Sequence, residues 1–254
     1  EFGMLIKEGA ATDFTYKEDL AKLLKFESTA LDAGKLTGLD DYVDRMAGDQ
    51  EEILFLFGKS RESIESGPYL EALQARGWEV LLLTEPVDEY VMQTVREFKE
   101  KKIISADSEE LKLEKLDQEK EGETLGKKEI KSLCDWLKKT LEDKVSEVET
   151  GERLIDSPVC IVGSDGMGGA SSRRIMKMMQ GPEGALPAPA VKLQINPRNS
   201  IIRGLSELKD KEEQTANLVA HQLLDNALAS ANLLDDPREM IARSYQTLEK
   251  ITSG

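Results

Sequence analysis

Hydrophobic positions follow two different rhythms along the chain, and each rhythm predicts its own kind of element. Ile53-Leu54-Phe55-Leu56-Phe57 is an unbroken apolar run closed by Gly58, and Glu79-Val80-Leu81-Leu82-Leu83-Thr84 is a second. Short runs without alternation read as strands covered on both faces. Between them, Arg61 to Arg76 reads as a helix with Gly67-Pro68 inside it, ending at Gly77, which suits a left-handed cap. Pro86 opens another helix through Tyr90, Val91, Val95 and Phe98, and Lys102-Ile103-Ile104-Ser105 supplies a third strand. Strands and helices alternating in this order predict a small parallel sheet in an α/β/α, three-layer arrangement.

Upstream, Thr15 and Glu18 have capping-box spacing ahead of Leu20, Leu23, Leu24, Ala30 and Leu31, which predicts a helix from about Tyr16 to Leu31. Thr37 and Asp40 repeat the device before Tyr42, Val43 and Met46. From Asp107 to Lys128 the chain is dominated by Glu, Lys, Asp and Gly, too polar to bury, and reads as a linker. Beyond it Ile130, Leu133, Leu137 and Leu141 line one helix face. Strands are predicted around Val145 to Thr150, Pro158 to Val162 and Val191 to Ile195, with a Gly-rich turn and a Met-rich helix before the last. At 254 residues two compact units are expected. The divisions are a helical connector over 1–36, the α/β/α unit over 37–112, a charged linker over 113–127 and a mixed α+β unit over 128–254.

The tail is helical. In Lys211 to Asn232, Ala216, Val219, Leu223, Ala227 and Ala231 share a face that Leu224 and Leu228 widen. Asp236-Pro237 starts a last helix in which Ile241, Ser244, Tyr245, Leu248 and Ile251 are expected to face inward. Two such helices carry more apolar surface than they can hide on each other. Pairing with the same helices of a second chain, as an intermolecular four-helix bundle, is the economical solution. The expected homodimer interface is therefore Val219, Leu223, Leu224, Ala227, Leu228, Ala231, Ile241, Tyr245 and Leu248.

A net charge of -15 argues against a nucleic-acid or anionic-membrane partner. Lys127, Lys128, Lys131, Lys138 and Lys139 are interleaved with Glu129, Asp135 and Glu142, the pattern of a solvated helix face. Cys134 and Cys160 are too far apart for a zinc or redox motif, so free thiols in a reducing compartment, the cytosol by default, are expected. No run approaches the ~18 apolar residues of a membrane span, and no charged-then-apolar leader is present. Glu1-Phe2-Gly3 and Ser253-Gly254 read as the marks of excision from something longer.

Candidate chemistry is sparse. Gly163-Ser164-Asp165-Gly166-Met167-Gly168-Gly169 lies between a strand and a helix, where backbone donors can cradle phosphate. It lacks a P-loop lysine, and Asp165 opposes a phosphate, so a connecting loop is the preferred reading and a nucleotide-binding α/β enzyme the alternative. His221 is the lone histidine and reads as a packing residue. Asp235-Asp236 and Glu51-Glu52 read as caps and solvation, and no spacing specifies a metal. Ser172-Arg173-Arg174-Ile175-Met176-Lys177-Met178-Met179 differs: core packing is the default reading, but methionines also suit surfaces that accept many partners, and the flanking glycine-rich stretches leave little rigid structure to pack on.

Four stretches resemble the distal middle domain of the ninety-kilodalton heat-shock chaperones, of bacterial or organellar type. They are Lys22 to Ser28, Leu36 to Tyr42, Ser66-Gly67-Pro68-Tyr69-Leu70-Glu71 and Thr84-Glu85-Pro86-Val87-Asp88-Glu89-Tyr90. Arg153-Leu154 to Ser157-Pro158, Arg174-Ile175-Met176-Lys177, Ile195-Asn196-Pro197-Arg198 and Asp236-Pro237 are similar to that family's dimerisation domain. The likeness implies a homodimeric, ATP-driven chaperone whose ATP and magnesium site and catalytic arginine lie outside this stretch. No cofactor and no enzymatic role are then expected here. It also implies an unfolded-client surface at Glu89, Tyr90, Gln93, Ile175, Met176, Met178 and Met179, with Tyr90 standing where some bacterial members carry tryptophan. The family's Met-Glu-Glu-Val-Asp tail is not found, so tetratricopeptide cochaperones are not expected. A cytoplasmic location is expected, with a mitochondrial or other organellar one as the alternative.

Overall fold

Neighbouring residues of the first apolar run point to opposite sides of a sheet. In the computed structural model, which describes residues 3–13, 15–115, 123–163, 190–234 and 236–253, Ile53 and Phe55 join one apolar cluster while Leu54 and Leu56 join another. The strand β2 (Ile53–Phe57) lies between β3 (Leu81–Leu83) and β5 (Lys101–Ser105), parallel to both. One side is covered by α1 (Gly3–Thr12), α3 (Leu39–Arg45) and α6 (Pro86–Val95). The other is covered by α4 (Arg61–Glu65), the 3-10 turn Pro68–Leu70 and α5 (Glu71–Ala75).

The sheet is mixed rather than purely parallel. Two-residue strands β1 (Glu27–Ser28) and β4 (Glu97–Phe98) pair antiparallel at its edges, giving the order β1-β3-β2-β5-β4. The expected helix from Tyr16 to Leu31 is reduced to α2 (Lys17–Ala21). Thr15 does not cap it; the Asp13 carboxylate accepts from the amides of Thr15 and Tyr16 instead. Beyond α2, Leu24 and Phe26 are drawn into the core, and Phe26 pairs with Thr37. The expected helix Arg61 to Arg76 is broken at Gly67-Pro68, because a proline ring displaces the preceding turn. Gly77 does adopt φ +70 after α5, as a left-handed cap requires.

Tyr42, fully buried, anchors this unit. Its hydroxyl donates to the Glu79 carbonyl and accepts from Gln50 Nε2 at 2.8 Å and the Leu54 amide at 3.0 Å. Arg45 forms a bidentate pair with Glu79 and also reaches Thr37 Oγ1.

The second sheet has the order β6-β8-β7, built from β6 (Val145–Thr150), β7 (Val159–Val162) and β8 (Val191–Ile195). The helix α7 (Lys127–Leu141) lies on it through Leu133, Leu137 and Leu141. Then come α8 (Ser200–Lys211), α9 (Glu213–Ser230) and α10 (Pro237–Ser253). The helix α8 was not anticipated, although Asn199 caps it through the Ile201 amide and Ile202, Leu205 and Leu208 hold its inner face.

One apolar cluster runs from Leu54, Tyr69 and Leu73 through to Cys160, Leu193 and Leu224. Polar contacts follow the same path. The Glu71 carboxylate accepts from the amides of Ile155, Asp156 and Ser157 at 2.7 to 3.2 Å. Buried Arg153 donates to the carbonyls of Ala106, Ser108 and Leu111. Lys192 of β8 meets Glu109 at 2.8 Å, Glu149 at 3.1 Å and Glu147 at 3.3 Å, gathering three carboxylates on one ammonium.

Candidate functional site

The helices α9 and α10 pack side by side, but not through the residues that a sequence pattern would choose. Arg243 Nε donates to Asp225 at 2.8 Å, Ser244 Oγ to Gln222 at 3.0 Å, and Lys250 Nζ to Thr215 at 3.1 Å. These pairs succeed one another as antiparallel helices require, so polar contacts recur along the seam. Met240, Arg243, Ser244 and Thr247 are the partly covered positions of α10, and they mark the side turned to α9. Ile241, Tyr245 and Leu248 instead face outward, 47%, 63% and 54% exposed. The two stripes lie roughly 110° apart around the helix at 100° per residue.

The expectation that Ile241, Tyr245 and Leu248 face inward is thus corrected for the single chain. Asp225, which meets Arg243 in that seam, is only 7% exposed. Rotating α10 to bury its stripe on α9 would leave that carboxylate unpaired, at a cost of about 3–5 kcal/mol. Covering the remaining half of three such side chains contributes about 2–4 kcal/mol, a comparable amount. A partner that covers the stripe allows both terms to be kept.

The other expected interface residues lie elsewhere. Leu223, Leu224, Ala227 and Ala231 are buried in the core of their own chain, and Val219 and Leu228 pack at its margin. A charge at Leu224 would therefore disrupt folding.

On α6, Tyr90 is 44% exposed and Gln93 partly so, one turn apart on the surface. Glu89 is 1% exposed and does not share that surface. Its neighbour Asp88 is also buried, meeting Lys7 of α1 at 2.6 Å; burial raises the Asp88 carboxyl above its ordinary range despite the ammonium beside it. The remaining client-contact candidates, Ile175, Met176, Met178 and Met179, lie outside the described residues.

The glycine loop is described only at Gly163. That amide donates to the Asp107 carbonyl at 2.8 Å, and the Gly163 carbonyl accepts from the Glu109 amide at 2.7 Å. Its donor is committed to the backbone rather than to an anion. Ser164 to Gly169 lie outside the described residues. Cys134 and Cys160 are free thiols. Among the described residues no His, Cys, Asp and Glu grouping suits a metal, and no helix is long and apolar enough to cross a membrane.

The family description Hsp90 protein matches residues 1–253. The chain belongs to the Hsp90 family. Its relatives include the chaperone protein HtpG of Desulfitobacterium hafniense, 40% identical over 251 residues, which cover 98% of this chain and 40% of the relative. The chaperone protein HtpG of Desulfotalea psychrophila is 37% identical over 99% of this chain and 41% of its own length. The mitochondrial heat shock protein 75 kDa of Bos taurus is 36% identical over 98% of this chain and 37% of its own. This Hsp90-family chain thus spans about two fifths of the length of the relatives it matches. Bacterial, mitochondrial and endoplasmin relatives are all represented.

Several residues that organise this Hsp90-family surface escaped the sequence reading. Asp225 and Arg243 lie in different helices, so no local spacing pairs them. Glu71 had one usable signal, a carboxylate three residues after Pro68, but its three amide donors come from a distant loop.

Proposed function

We propose that this stretch supplies the homodimerisation and part of the unfolded-client surface of an ATP-driven chaperone, with no chemical step of its own. The observation that carries the reading is the outward stripe of Ile241, Tyr245 and Leu248 on α10. A second copy fits it best, since an isologous contact sets the same stripe against itself around a two-fold axis. Four helices, α9 and α10 from each chain, then make the bundle. ATP and magnesium are assigned to the part of the relatives that this chain does not span.

Client contact is placed at Tyr90 and Gln93, continued by Ile175, Met176, Met178 and Met179. A half-exposed aromatic ring suits apolar segments of varied sequence, bound weakly, and methionines are residues of the same kind of surface. Glu89 serves the fold of α6 instead.

Sedimentation velocity tests the reading. The chain should sediment as a dimer at micromolar concentration, and Leu248→Glu should produce folded monomers. A dimer that survives Leu248→Glu and Tyr245→Glu would reject the interface. Tyr90→Ser should weaken suppression of aggregation of an unfolded model protein while leaving the dimer intact; undiminished suppression would reject the client surface.

A further inference from the structure

We infer that the Asp225–Arg243 ion pair is a register pin that fixes the rotation of α10 and so selects the face offered to a second copy of the chain. The inference rests on the proposed dimer and adds to it a positioning residue on each helix. Its basis is the mismatch between the stripe that hydrophobic packing would turn to α9 and the stripe that actually touches it. Among the described side chains of α10, Ile241, Tyr245 and Leu248 are the large apolar ones left exposed, yet the polar Arg243 and Ser244 join Met240 in the seam.

Two features single out this pair among the seam contacts. It is the most enclosed, with side chains 19% and 10% exposed, whereas Lys250 and Thr215 meet at the surface. It is also the contact whose loss is least tolerable, because Asp225 is buried on α9 beside Leu224 and loss of Arg243 strips a buried carboxylate of its cation. Buried ionic groups of this kind add little net stability over apolar replacements but can impose a single arrangement on helices that could otherwise slide or roll. Gln222 with Ser244, one turn away, reinforces the same rotation.

A residue that only stabilised the hairpin and one that sets its register behave differently when the pair is replaced by apolar side chains. In the double variant Asp225→Leu with Arg243→Met the hairpin should remain folded, with a melting temperature close to that of the parent chain. Freed of the pin, α10 should roll its stripe toward α9, and the dimer dissociation constant should rise at least tenfold. Hydrogen exchange along α10 should stay slow in that variant, which separates rolling from unfolding. The single variant Arg243→Met, which orphans Asp225, should weaken both the hairpin and the dimer, and Arg243→Lys should restore part of the affinity.

Sedimentation equilibrium of the parent chain and the double variant decides the matter. A parent dimer with a weakened, still folded double variant supports the pin. A parent dimer with an unweakened double variant overturns the pin and leaves the dimer reading standing. A parent chain that is monomeric at high micromolar concentration overturns both. A double variant that unfolds overturns the pin in favour of a purely stabilising pair.

Discussion

The Tyr69 hydroxyl donates a 3.0 Å hydrogen bond to the Ile161 carbonyl, joining a turn beside the first sheet to a central residue of β7. Both groups are buried, and the contact lies on the path along which Glu71 and Arg153 also cross between the halves of the chain. The two sheets therefore share one core and should lose it together.

Removing the polar contacts of this path should lower stability without altering the sheets. Tyr69→Phe leaves the Ile161 carbonyl short of a donor and should cost about 1–2 kcal/mol. Glu71→Ala withdraws a charged acceptor from three amides and should cost about 2–3 kcal/mol. Urea unfolding followed by circular dichroism checks both, and a single transition is expected throughout.

The β4–β5 hairpin carries backbone strain that one substitution should relieve. Lys99 and Glu100 adopt φ 49 and φ 62, the left-handed values of a two-residue hairpin turn in which glycine is favoured at the second position. Lys99 is held by Asp40 at 2.6 Å and is best left in place. Glu100→Gly should raise stability by about 0.5–1 kcal/mol, read as a higher urea midpoint at unchanged slope.

How much of this was legible in the sequence depends on the range of the interaction. The inner strands at Ile53 and Leu81 and the start of the helix at Pro86 follow from local patterns and form where expected, but that helix ends at Val95, and Phe98, expected within it, lies in β4 instead. The helix expected from Tyr16 failed because a sheet edge competed for Phe26 to Ser28, and a capping pattern carries no information about that competition. The tail shows the same limit at the site. Helical spacing identified the apolar residues of α9 and α10, but the side that α10 turns to α9 carries Arg243 and Ser244, whose partners Asp225 and Gln222 lie on another helix beyond the reach of local spacing.

Acidification should loosen the structure through His221. Burial lowers its affinity for a proton, and the cations of Arg243 and Lys144 act in the same direction, against the weaker opposing influence of Asp225 and Glu142. Its folded value therefore lies below the ordinary 6.5, so the unfolded chain binds the proton first as pH falls. Stability should be level above about pH 7.5 and decline as pH drops through 6.5. His221→Gln should flatten that decline, measured as melting temperature between pH 5 and pH 8.

The thiols should be nearly inert in the folded chain. Cys160 is 0% exposed, and burial pushes its thiol up to about 12. At pH 8 that leaves roughly one part in ten thousand as the reactive thiolate. Half-buried Cys134, pushed up to about 11, should label slowly with iodoacetamide, and Cys160 should label only in denaturant. Mass spectrometry of timed reactions would show whether Cys160 reacts at the slower unfolding rate.

At one edge of its sheet among the described residues, β6 carries Glu147 and Glu149, both leaning on Lys192 of the neighbouring strand. Charged side chains along an edge strand disfavour the addition of a further strand from another molecule. In crowded solution the rim should deflect strand-by-strand accretion into fibrils, leaving self-association to the helical end of the molecule.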